Sequence, residues 1–501
     1  MRQLHLSDRP EIHHANFLLK QSLEAGIYVN QDKLESRIND LSQNINSHLK
    51  EMNELIRQGI NEQRERQLTQ EQARLLVNVA SMKLSPNSTY DVVNILSVIF
   101  NVPIEYFGGR DNLKANDGVL KTVYKDYPLP YIKLLREYRS LKKSYDALAG
   151  KRGLKTYIRP SDKVSNHGDR LGCITPKVEL ADTGRYQLSE PAIGNLSDDV
   201  LDLLEAPEGY YIVSMDVRQQ EPTIFFDGVL NCRDISNILK QSIDDKYLGI
   251  TRACVTQTKL IQQINDYCAE KGLENITESD WVWNYLAKDY LGKIKCYKKN
   301  TPSVDFAYLN SKLLEHLVPS SEITPEMRKL YKTAILAGGY GASKGTLIAL
   351  AGEEVGTSLY RLLSELPEAK DYMERASQYI SQGGRRIYTL FGTVLTLDER
   401  DKNNKKRNTN DFLRLMMNYP TQGTGADMLK FCIVDFYRWV SSQGYTYEDM
   451  RLSFTKHDEI IIYIKKELIH HLEDIKSLME LQVEDWCPIL VEAKYGECYT
   501  K

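Results

Sequence analysis

Carboxylates stand where apolar strands should end. The stretch Lys456 to Ile464, KHDEIIIYI, sets His457, Asp458 and Glu459 between two strongly apolar β-type runs, which predicts a carboxylate at a hairpin tip. Far upstream, YYIVSMDVRQQEPTIFF delivers Asp216 at the end of an apolar strand, with Gln219 and Glu221 close behind it. Two aspartates on strand ends, able to meet across a sheet, are what a two-metal phosphoryl-transfer site requires. Magnesium prefers hard oxygen ligands and needs only one or two carboxylates beside substrate phosphates and water, so the pair is enough. Taken alone, each aspartate reads as an ordinary turn former.

Between these segments lies EMRKLYKTAILAGGYGASKG, a predicted helix entered near Thr324-Pro325 and left at a glycine-rich turn. Arg328, Lys332, Leu336 and Tyr340 recur every four residues along one slowly drifting face. The cationic end suits triphosphate oxygens and the aromatic end suits a base. Alone, the same pattern reads as a helix with a solvated basic flank and a buried Leu/Tyr edge. Gly338, Gly339 and Gly341 read as a C-cap that also permits a hinge or the close approach of a nucleic acid.

In this order the three blocks resemble the polymerase motifs of family A DNA polymerases, the group that includes bacterial DNA polymerase I. Three further blocks extend the resemblance over nearly the whole chain. LMMNYPTQGTGADMLK is similar to the family's primer-template minor-groove segment, with Arg414, Asn418 and Gln422 at the matching spacing. TGRYQLSEPAIGN resembles the TGR…P…N pattern, which implies DNA contacts for Arg185 and Asn195, and KDYPLPYIKLLREYRSLKKSY resembles the thumb helix, with Arg139 and Lys143 gripping the primer backbone. QGT with HDE is the most discriminating pair.

The resemblance implies an α+β right-hand polymerase fold, with an antiparallel-sheet palm and mostly helical thumb and fingers. It implies a DNA-directed DNA polymerase that extends a primer 3′-hydroxyl with deoxynucleoside triphosphates. Asp216 and Asp458 would hold two Mg2+ ions, for which Mn2+ can substitute. Arg328 and Lys332 would neutralise the triphosphate, Lys332 also serving as proton donor to pyrophosphate. Tyr340 and Leu336 would lie at the nascent pair, with Gln219 also at the nucleotide. His457 would stand near the primer end, and Glu459 would tune the metal site. Glu221 resembles the family's steric gate, a carboxylate beneath the sugar that leaves no room for a 2′-hydroxyl. Single-subunit RNA polymerases want a small residue there, which favours a DNA polymerase. Leu336 departs from the family, which usually presents an aromatic ring there, and this puts dideoxynucleotide handling in doubt. Thr223 stands where the family often has arginine, and nothing explains that substitution.

Composition agrees with this reading. A chain of 501 residues can bury several cores, and a formal charge of −3 requires any nucleic-acid surface to be a local cleft. Among the basic clusters, Arg136 to Lys143 and Lys402 to Arg407 are the expected phosphate contacts. Eight cysteines without CxxC spacing argue against structural zinc and for a reducing compartment. No signal-like run or stretch of about twenty apolar residues occurs, so the expectation is a cytoplasmic or nucleoid-associated protein with no membrane partner.

The expected organisation is an N-terminal junction and helical thumb over 1–150, a first palm segment over 151–229, fingers over 230–410, and a second palm segment over 411–501. A helical insertion is expected at about 230–279, either an inert elaboration or a guide for DNA or a partner. The junction-like phrase FLLKQSLEAGIYVNQDKL falls almost at Met1, so no proofreading exonuclease domain is expected upstream. A phage or plasmid replicase fits, working with a separate exonuclease, primase, helicase or processivity factor. A repair or lesion-bypass polymerase, or a catalytically silent polymerase-like binder, would share the same motifs.

Overall fold

The computed structural model describes residues 1–64, 73, 77, 85–109, 112–217, 220–229, 281–282, 293–298, 304–307, 317–319, 337, 341–353, 356–357, 360, 367–401, 404–483 and 489–500. Helices and sheets are both prominent, as an α+β fold requires. By contacts the chain divides into two units that do not follow chain order. One comprises Met1–Ile27, Pro176–Ser189 and Gly209–Lys501, the other Tyr28–Thr175 and Glu190–Glu208. The expected insertion at 230–279 lies outside the described residues.

The first unit contains α1 (Ile12–Glu24), a hairpin of β1 (Lys177–Leu180) and β2 (Tyr186–Ser189), β3 (Tyr210–Val217), and a second hairpin of β4 (Arg386–Tyr388) and β5 (Val394–Thr396). It continues with the long helix α2 (Thr409–Ser442), β6 (Met450–Lys456), β7 (Glu459–Lys465) and β8 (Val491–Gly496). Its centre is a four-stranded antiparallel sheet in the order β6-β7-β3-β8. Residues Ile460 to Ile464 of β7 are all buried, so both faces of that strand are covered, which is why its sequence is continuously apolar instead of alternating. Helix α1 packs on β6, and both pack against α2.

Asn408 caps α2 in a reciprocal capping box with Asp411. The same helix carries Pro420 and a run of small residues where other elements approach it. A Cβ at Gly423 would stand 2.7 Å from Leu395 Cδ1 of β5, and one at Gly425 would stand 2.5 Å from Gln220 Oε1 just beyond β3. Glycine at these two positions lets the β4–β5 hairpin and the segment after β3 seat directly on the helix.

In the second unit the 34-residue helix Gln31–Arg64 packs along Pro130–Ala149, which begins with proline at its first turn. Val92, Leu96, Phe107, Leu120 and Leu135 are buried in their shared core. Ser88 accepts a bond from the Asp91 amide and so starts the short helix Thr89–Asn94. Glu205 is buried, its carboxylate receiving Asn30 Nδ2 at 2.5 Å and Lys33 Nζ at 3.3 Å. Among the described residues no helix is long and apolar enough to cross a membrane.

Candidate active site

Sheet register brings the acidic segments together. Strands β3 and β7 are direct neighbours, and Glu459 stands opposite Asp216. The two-residue turn between β6 and β7 consists of His457 and Asp458, so Asp458 is held beside the C-terminal end of β3. His457 is exposed and adopts a φ of +59°, in a region that non-glycine residues rarely occupy.

Among the described residues the charges around Asp458 are mostly negative. Burial, and then the negative charge of Asp216, push the Asp458 carboxyl up to about 7; Glu221 adds to the rise and Arg185 opposes it. Arg185, in the turn between β1 and β2, forms an ion pair with Glu221, and both side chains are largely buried. Among the described residues, Arg185 thus relieves the charge on Asp458 while also pairing with Glu221. The described residues hold no cluster of three or more metal-ligating side chains, but the two carboxylates Asp216 and Asp458 are hard oxygen donors that could hold a magnesium ion whose other ligands are water and substrate phosphate.

Glu459 has a different setting. It is fully buried, with Ser214 Oγ donating to one carboxylate oxygen and Tyr499 donating to the other at 2.7 Å. Those bonds tie β7 to β3 and to the residues after β8. Sequence reading missed both hydroxyls, whose only sequence signal is that Ser214 lies two residues before Asp216 and therefore on the same strand face. It also missed Glu492 of β8, which stands opposite Asp216 on the other side from Glu459.

Arg414, Asn418 and Gln422 lie at four-residue intervals on α2 and so share one face. Arg414 is exposed and the other two are half-buried. Asn418 Oδ1 is buried without a hydrogen-bond partner among the described residues. The remaining DNA-contact expectations fall in the second unit. Lys143 and Asn195 are exposed there. Arg139 is half-buried, its Nε donating to the Pro86 carbonyl at 2.9 Å and its Nη1 to the Ala115 carbonyl. Its position four residues before Lys143 gave no sign of these loop carbonyls, which reach it only through packing. Gln219, Arg328, Lys332, Leu336 and Tyr340 lie outside the described residues.

Residues 306–501 match the family model described as DNA polymerase family A. DNA polymerase I of Pseudomonas aeruginosa is 29% identical over 184 residues, which are 36% of this chain and 20% of that protein. DNA polymerase I of Aquifex aeolicus is 24% identical over 409 residues, 78% of this chain and 54% of that protein. The thermostable DNA polymerase I of Thermus aquaticus is 29% identical over 189 residues, 36% of this chain and 21% of that protein. The chain therefore spans a fifth to about half of the length of these curated relatives. Among solved structures, the POL domain of Pol1 from M. smegmatis, in complex with DNA primer-template and dNTP, aligns with a TM-score of 0.61 and 17% identity. The alignment covers 97% of this chain and 69% of that one. At that identity the likeness establishes the fold.

Proposed function

From a chain that resembles family A DNA polymerases in sequence over residues 306–501 and in fold over most of its length, we propose a template-directed DNA polymerase. It extends a primer 3′-hydroxyl with deoxynucleoside triphosphates. The observation that carries this reading is the register that pairs Glu459 with Asp216, so that Asp458, one residue earlier in the turn, lies close enough for the Asp216 charge to raise its affinity for a proton.

Asp216 and Asp458 hold the metal in this reading. Two magnesium ions there would lower the pKa of the primer hydroxyl and stabilise charge on the leaving pyrophosphate. The chain's own side chains orient the substrates. Arg414, Asn418 and Gln422 present one face of α2 to the primer-template duplex, where mixed donors and acceptors can follow base edges and sugars. Glu221, fixed by Arg185, occupies the space beneath the incoming sugar and excludes a 2′-hydroxyl. Arg328 and Lys332 neutralise the triphosphate, with Tyr340 and Leu336 beside the base and sugar. Glu459 is a supporting residue, holding the strands that carry both aspartates. Lys143 and Asn195 take up the template-primer backbone.

The test is extension of a labelled DNA primer on a DNA template with magnesium and deoxynucleotides, comparing the wild type with Asp458→Ala. Extension by the wild type and its loss in the variant, with primer-template binding retained, is expected. A wild type that binds primer-template and never extends it would show a silent polymerase-like binder instead.

A further inference from the structure

Helix α2 carries a buried charge pair that no step above uses. Asp427 and Lys430 are each about 1% exposed, one turn apart on the helix, with Lys430 Nζ 3.6 Å from Asp427 Oδ1. Thr389, in the loop between β4 and β5, donates to Asp427 Oδ2 at 2.6 Å and fixes the carboxylate. Burial raises the affinity of Asp427 for its proton and lowers that of Lys430, so the pair is costly to keep charged inside the unit. Replacing such a buried pair by well-packed apolar side chains of similar volume is often neutral or stabilising, so stability alone is a weak account of it.

The geometry of the pair points at Arg185. Lys430 Nζ donates at 3.0 Å to the carbonyl of Gly184, the residue before Arg185, and passes close to the Tyr186 ring on its other side. Gly184 has a φ of +76° and closes the tight turn, its amide donating to the Ala181 carbonyl at 2.7 Å. A second tether from the same helix reaches the same turn, where Tyr419 donates to Asp182 at 3.2 Å. The peptide that aims Arg185 is thus clamped from α2, and Arg185 in turn holds Glu221.

We propose that Lys430, anchored by Asp427, is a positioning residue: by fixing the Gly184 carbonyl it aims Arg185 at Glu221 and at the primer-nucleotide junction. The inference rests on the polymerase reading. It makes the helix that faces the duplex also the ruler for the arginine on a separate hairpin. Lys430 touches no substrate and acts only through the Gly184–Arg185 peptide.

The experiment is a double-mutant cycle of Lys430→Met and Arg185→Ala, read by single-nucleotide primer extension with deoxy- and ribonucleotides. Lys430→Met is expected to lower kcat about tenfold in the wild-type background, as a displaced positioning group does, and by less than about twofold once Arg185 is gone. It is also expected to shift the ribonucleotide-to-deoxynucleotide ratio in the same direction as Arg185→Ala. Should Lys430→Met fail to fold with Asp427 left unpaired, the double variant Asp427→Leu with Lys430→Met removes both charges and replaces it in the cycle. Equal losses in both Arg185 backgrounds, or no loss in either, would overturn the proposal while leaving the polymerase reading intact. A wild type without extension would overturn both.

Discussion

Asp458 holds its proton unusually well because its carboxyl is desolvated and faces Asp216, with Glu221 adding to the repulsion and Arg185 relieving part of it. The native state therefore binds more protons than the unfolded chain between the ordinary aspartate range and about pH 7. By linkage, the contribution of Asp458 to the stability of the metal-free protein is fullest below that window and is lost as pH rises through it. Replacing Asp216 by asparagine removes the facing charge. In the presence of a chelator, Asp216→Asn should unfold at a higher temperature than the wild type at pH 8, with the gain shrinking at pH 5, while primer extension is lost. A variant less stable at both pH values would show that the two carboxylates do not repel. At the same corner Glu221→Ala should raise ribonucleotide incorporation relative to deoxynucleotide, because the volume beneath the sugar opens. Unchanged selectivity in primer extension would remove Glu221 from that role.

At the scale of elements, β7 carries most of the demand for burial. Ile462 is fully buried, opposite Val213 of β3 and Leu452 of β6, so it is packed at the middle of the sheet. Ile462→Ala deletes its outer carbons where neighbours on both strands are fixed by ladder bonds. The expected loss is about 2–5 kcal/mol, seen as a lower denaturant midpoint with an unchanged slope. A loss below about 1 kcal/mol would mean that the sheet collapses around the gap. The apolar run and its acidic start were readable from KHDEIIIYI, since alternation is absent only where both faces are covered. Nothing in LMMNYPTQGTGADMLK shows what Gly423 and Gly425 are for. What they admit comes from elements far away in sequence, Leu395 in one case and Gln220 in the other.

Across the whole molecule, the two contact units are each assembled from separated stretches of chain. The second unit has its own buried polar centre at Glu205, which Asn30 and Lys33 share. Glu205→Ala strips both donors of that carboxylate, and the cost of such a loss is about 1–3 kcal/mol. Hydrogen exchange should report it as faster exchange of protected amides within Tyr28–Thr175, with the amides of β7 unchanged. Equal loss of protection in β7 would mean that the chain unfolds as one cooperative body.

The sequence by itself determined the chemistry-bearing types and their order: an aspartate ending one apolar strand, another in a hairpin turn, and amide and basic side chains at four-residue intervals on one helix. These are local properties, set by side-chain period and by the turn that two strands need. It also carried enough of the family pattern to predict the α+β fold. Only the tertiary structure decided the pairing that sets Glu459 and Glu492 on either side of Asp216, the loop carbonyls that occupy Arg139, and the reach of Lys430 to the Gly184 carbonyl. Each joins residues tens to hundreds of positions apart. Such contacts depend on which strands become neighbours and how closely elements approach, and no local spacing encodes that.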